Sequence, residues 1–172
     1  MIVCRISPAA VCLGLLLAAV VSPAQDTPGP STEADRQQVL ASIHSWQADP
    51  LDPQANNQLV SVYKWFSNVT DITVHVCTLL DGLPKGDKKD SVTIFSGQVM
   101  AQAAFVIENS GKKVDRLAEY EAGVEGALRV YEFLLKANPQ DRQKYLDDLI
   151  RRRDAGTLDD FVKQRADAAC KN

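Results

Sequence analysis

Few residues in this 172-residue chain have side chains that could act as nucleophiles or general bases at neutral pH. There are two histidines, His44 and His75, and four cysteines, Cys4, Cys12, Cys77 and Cys170. His75 and Cys77 lie close in sequence, but a base–nucleophile pair is defined by geometry in space, which so short a spacing does not supply. Neither histidine has a second His, Cys or carboxylate at the spacing of a metal site, so each reads as a surface or hydrogen-bonded histidine. Glu121 and Glu125 stand one helical turn apart. A paired-carboxylate acid–base site needs a set separation across a cleft, and one helix face does not provide it. Arg151-Arg152-Arg153 offers three cations for an anion, yet it falls in the last turn of an expected helix, where basic residues complement the macrodipole. Asp147 and Asp148 precede Arg151 and Arg152 by four, the favourable order for helix ion pairs; Glu125–Arg129 and Glu132–Lys136 repeat it. The HExxH, GxSxG, Walker and Rossmann patterns do not occur in the sequence. We therefore assign no catalytic residue, no metal ligand and no cofactor.

The cysteine count depends on the first 24 residues. A start with one basic residue, Arg5, leads into thirteen uncharged, mostly apolar residues, Ala9–Val21, and then Ser22-Pro23-Ala24. This is the plan of a secretory signal with a cut after Ala24. Thirteen residues make a helix of about 20 Å, too short for the roughly 30 Å hydrocarbon core, so a membrane span is not expected. Cys12 lies inside the apolar run rather than directly after it, which argues against a lipid anchor. Cleavage removes Cys4, Cys12 and Arg5 but no acidic residue, so the net charge goes from −3 to −4. In an exported chain the remaining pair, Cys77 and Cys170, reads as one disulfide, with two buried thiols as the alternative.

The residues that follow are positioned by helical periods. Hydrophobic residues make up 45% and charged residues 24%, the balance of a chain that buries a core. An acidic balance argues against general nucleic-acid binding. Gln25–Ser31 holds two prolines and a glycine and is expected to be a flexible leader. Val39, Leu40, Ile43 and Trp46 give a first helix near 32–47. Asp52 and Pro53 start a second, near 53–67, lined by Leu59, Val62, Tyr63 and Phe66. Residues 70–81 satisfy both an alternating strand and a helix. We expect helix, because no partner strand is evident and a lone strand leaves its backbone unpaired. A turn-rich loop, Asp81–Asp90, precedes a helix near 91–108 with Val92, Phe95, Val99, Ala103 and Val106 on one face. A long helix near 114–137 carries Leu117, Tyr120, Val124, Leu128, Tyr131 and Leu135. Asp141 is expected to cap a helix to Asp154 with Gly156 as its C′ residue. Thr157 and Asp160 are expected to open a last helix with a capping box. The expectation is an all-α fold: a compact bundle of six or seven helices in antiparallel hairpins, as one domain over 32–172.

Within that bundle, Ala118, Ala122 and Gly126 lie four apart on the long helix, beside Gly123 and Ala127. Mid-helix glycines cost roughly 1 kcal/mol each relative to alanine, so something must come close there. The candidates are tight helix packing against Gly97, Ala101 and Ala104, or a groove at Gly123 and Gly126 for a ligand or partner helix. Ala127, Tyr131, Leu134 and Pro139 resemble the second helix of a tetratricopeptide repeat over about half a repeat. No second copy follows at the repeat step, and Gly111, Val114, Asp115 and Ala118 do not fit the repeat's first helix. The resemblance implies a helical hairpin with similar packing. Trp65 is a candidate partner anchor if exposed. Asn68-Val69-Thr70 fits a glycosylation triplet in hosts that modify exported proteins.

Three functions fit these readings: a non-catalytic binding or interaction module of the cell envelope, periplasmic or extracellular; a small exported hydrolase whose site is assembled from distant residues; and a carrier of a small apolar ligand beside Gly123 and Gly126. The first carries the most weight, with an unidentified protein partner or small ligand and no nucleic acid.

Overall fold

The computed structural model describes residues 28–84 and 90–170. Residues 1–24, expected to be a signal, and the start of the expected leader lie outside these. Among the described residues six α-helices form, and the chain is all-α as expected: α1 Glu33–Ala48, α2 Ala55–Asn68, α3 Ser91–Glu108, α4 Arg116–Ala137, α5 Lys144–Asp154 and α6 Leu158–Ala169. A short 3₁₀ turn, Pro139–Asp141, separates α4 from α5. None of these helices is long and apolar enough to cross a membrane.

Helix starts follow local chemistry. Thr32 Oγ1 accepts from the Asp35 amide while Asp35 Oδ2 accepts from the Thr32 amide, a reciprocal capping box at α1. Asp115 accepts from the Leu117 amide at the start of α4. Asp52 accepts from the Gln54 amide at 2.6 Å, but α2 begins at Ala55, two residues beyond the expected start. Asp141 does not cap α5. The Gln143 amide donates to the Tyr131 hydroxyl at 2.7 Å, and that hydroxyl reaches Asp147 at 2.9 Å, so a side chain of α4 fixes where α5 starts. The box expected at Thr157 and Asp160 does not form. The Thr157 hydroxyl instead turns back to the Arg152 carbonyl. Gly156 is the C′ residue as expected: its φ of 69°, with Gly156 N–H to Arg153 O and Thr157 N–H to Arg152 O, closes α5.

Two helix pairs form the body: α1 with α2, and α3 with α4. Helix α1 also packs on α3, while α5 and α6 close the other side of α4. Across α3 and α4, Gly97 faces Val130 and Gly126, and Gln102 faces Gly123, so the two run antiparallel. The centre of the core is Ile43, Ile94, Met100, Val124, Leu128 and Tyr131.

Two expectations are corrected here. Residues 70–81 form neither helix nor strand; they cross the body as an irregular strap between α2 and α3. And α3 buries only part of the stripe expected of it, namely Val99, Ala103 and Val106. Val92 and Phe95 are 64% and 39% exposed, whereas Ile94, Gln98, Ala101 and Gln102 are buried. The helix is apolar on nearly all sides, so its period does not single out an inner face.

Candidate functional site

The strap has no neighbouring strand, yet its backbone is paired by side chains of α3 and α4. Gln102 Nε2 donates to the His75 carbonyl at 3.0 Å, and Gln98 Nε2 donates to the Cys77 carbonyl at 3.2 Å. The carboxylate of Glu119, 1% exposed, accepts from the His75 amide at 2.6 Å with Oε1. Its Oε2 lies 3.0 Å from His75 Nδ1. A carboxylate beside Nδ1 selects the tautomer protonated there and leaves Nε2, 3.4 Å from Arg116 Nη2, facing outward. Sequence reading noted Glu121 and Glu125 and passed over Glu119. In sequence, Gln98, Gln102 and Glu119 are polar residues expected on the water side of their helices. Only the strap's need for donors and acceptors turns them inward.

The glycines of α4 belong to this arrangement. A Cβ on Gly123 would stand 2.6 Å from Gln102 Cγ and 3.1 Å from Gln98 Cγ. The missing side chain is the space through which both carboxamides reach the strap. At Gly126 a Cβ would meet the Ala101 side chain and, at 2.6 Å, the Gly97 carbonyl. Gly123 and Gly126 are therefore filled by α3 and leave no groove, which corrects the groove expectation. Tight helix packing, the other reading, is what occurs.

Cys77 and Cys170 are joined as a disulfide, with Cα atoms 5.5 Å apart across a separation of 93 residues. It ties the middle of the strap to the end of α6. Farther along, Asp81 pairs with Arg165 of α6 at 2.8 Å, and Gly82 lies against the ring of Tyr145.

The strap's other edge walls a hollow. Val62, Tyr63 and Phe66 of α2 form one side, and Val99, Met100 and Ala103 of α3 form the floor. Ile72, Val74 and Val76 of the strap close it, leaving about 330 Å³. Tyr63 and Val76 stand at the mouth, 42% and 46% exposed, and the Tyr63 hydroxyl bonds Ser96. Polar groups are sparse; Thr73 is one.

The remaining candidates lie apart from one another. His44 is exposed on α1, 3.4 Å from Glu108. Trp65 is half-buried and edge-on to Phe66; it borders Gly29 and Pro30 rather than standing free as an anchor. There the chain before α1 is held: Gly29 exchanges backbone bonds with Asn68 and Thr70, and Ser31 donates twice to the Asp71 carboxylate. Glu121 is half-buried, and desolvation, with Asp159 and Asp115 nearby, raises its pKa. The three arginines are engaged by carboxylates. Arg151 and Arg152 bond Asp148, and Arg153 reaches across to both oxygens of Glu132 at 3.0 and 2.7 Å. Asp147 thus serves Tyr131 and Arg142 rather than Arg151, and Glu132 serves Arg153 rather than Lys136. Among the described residues no group of three His, Cys, Asp or Glu is placed to hold a metal ion. No protein family, curated protein or solved structure matches this chain.

Proposed function

We propose that this chain is an exported helical domain that acts by binding, and that the hollow between α2, α3 and the strap is its site for a small apolar molecule. The hollow carries the reading: about 330 Å³, apolar on three sides, with a few polar groups near its mouth. Pockets of this character, from roughly 300 Å³ upward, are the usual form of small-ligand sites. The stripe Val92, Phe95 and Val99 on α3 continues apolar surface toward it, and two of these three are exposed. Export is supported by the three-part N-terminus and by the disulfide, a bond that persists in oxidising compartments. The carrier reading thereby moves from the α4 face of α3, where Gly123 and Gly126 lie, to the opposite side.

Titration of the oxidised protein with N-phenylnaphthylamine, followed by fluorescence, tests this. Saturable one-site binding is expected, weakened at least about tenfold by Val76→Asp, which places a charge at the mouth and leaves the core untouched. No saturable binding to the parent chain, or equal binding to the variant, refutes the hollow as the site.

A further inference from the structure

We propose that formation of the Cys77–Cys170 disulfide completes the hollow, so that binding competence follows the redox state of this pair. The inference rests on the hollow being the binding site, and its structural half can be tested without any ligand. Ile72, Thr73, Val74 and Val76 supply one wall, and all of them lie between the end of α2 and Cys77. Ile72 is buried at one end of this stretch, and Leu79 and Leu80 are buried beyond its other end. Between them Thr73 and Val76 are exposed, and His75 and Val74 are half-buried. Apolar burial is therefore complete at the flanks of the wall and only partial in its middle, where Val74 packs against the core.

The middle has two kinds of hold. One is the set of hydrogen bonds from Gln98, Gln102 and Glu119 to His75 and Cys77. Each of these bonds can open and exchange with water, so the hold they give the middle is reversible. The other is the covalent bond to Cys170, which keeps Cys77 against α6 whether or not the hydrogen bonds are made. With the bond formed, residues 73–76 are a short span between two fixed points, Ile72 and Cys77. Without it the span runs to Leu79, and the wall loses its nearer post. Both cysteines are half-exposed, and Cys170 borders a surface cleft with Arg116 and Tyr120, so a reagent can reach the sulfurs. The exchange is balanced with a dithiol. Its thiolate attacks one sulfur, its second thiol resolves the mixed disulfide, the dithiol leaves as a disulfide, and Cys77 and Cys170 each take up one of the two protons the dithiol gives up. The reverse exchange, with an oxidising protein disulfide, is the step that export would supply.

Hydrogen exchange read by mass spectrometry on the full chain, oxidised and reduced with dithiothreitol, gives the test. The double variant Cys77→Ser with Cys170→Ser repeats the measurement without reductant. The proposal expects amides of 72–77 to exchange at least about tenfold faster in the reduced chain and the double variant. Amides of α3 and α4 should stay protected in both, and saturable N-phenylnaphthylamine binding should weaken in parallel. Equal strap exchange in both states overturns it. So does a reduced chain in which α3 and α4 exchange as freely as the strap, since reduction would then have unfolded the chain rather than freed the wall. If the strap loosens on reduction but probe binding is unchanged, the gate is refuted. If the oxidised chain binds no probe while the strap responds as expected, the pin stands and the hollow fails as a site.

Discussion

Glu119 makes two contacts to the strap, where Gln98 and Gln102 each make one. It is a buried carboxylate with two donors from a single residue, the amide and the ring of His75. Its solvation is replaced by those bonds, so removing it leaves the half-buried His75 amide without its acceptor. Glu119→Ala is expected to lower stability by about 2–3 kcal/mol, with Glu119→Gln intermediate because a carboxamide oxygen still accepts from the amide. Urea unfolding of the three proteins checks the order. A loss of less than about 0.5 kcal/mol in the alanine variant would show that the strap is held without it. The signal for this site was present in the sequence but unreadable. Gln98, Gln102 and Glu119 look like solvent-facing polar residues of two helices, and their partners are backbone groups, which carry no sequence signature. Gly123 was legible as a place where something approaches, and what approaches is a pair of glutamine side chains.

At the scale of elements, the helices were legible and the connections between them were not. Periods of three and four placed α1 and α4 within a residue or two, because each has a long apolar stripe, and the polar turn segments on either side bounded α3. Starts that depend on a distant side chain were missed: Tyr131 of α4 sets the first turn of α5. The α4–α5 contact is also electrostatic. Arg153 beside Glu132 holds that carboxyl below its ordinary value of 4.5. Because the folded-state pKa is lowered, the stabilisation is fully present above the unfolded-state value and is lost as pH falls through the lowered one. The expected result is that the stability advantage of the parent chain over Glu132→Gln, measured by denaturant unfolding, shrinks between about pH 6 and about pH 3. Both partners are partly exposed, so the effect is to be modest and reduced by salt. An advantage that grows on acidification would contradict the pairing. Residues 70–81 show the opposite case. Their alternation of β-branched and polar residues suits a strand, yet they form none, and the side chains of Gln98, Gln102 and Glu119 take the place of a partner strand.

For the molecule as a whole, the disulfide spans 93 residues and links the strap to the end of α6, so it encloses α3, α4, α5 and α6 in one loop. Constraining a loop of that size in the unfolded chain stabilises the fold by roughly 4–5 kcal/mol on the chain-entropy account. Reduction should therefore lower the thermal midpoint markedly even where the helices persist. Intact mass of the protein recovered from an exporting host should match a chain that begins at Gln25 and lacks two hydrogens, with both returning on reduction. A mass that retains residues 1–24 would count against export by this signal. The sequence by itself determined the all-α class and most of the helix positions and favoured the pairing of the two late cysteines, because periodicity, proline placement and cysteine number act locally or by simple count. Only the tertiary structure decided which face of α3 is open, that Gly123 and Gly126 are filled, and that a strap and two helices enclose a hollow. Those facts depend on which surfaces meet when several apolar faces compete for the same core, and a helix that is apolar on all sides leaves that choice to its neighbours.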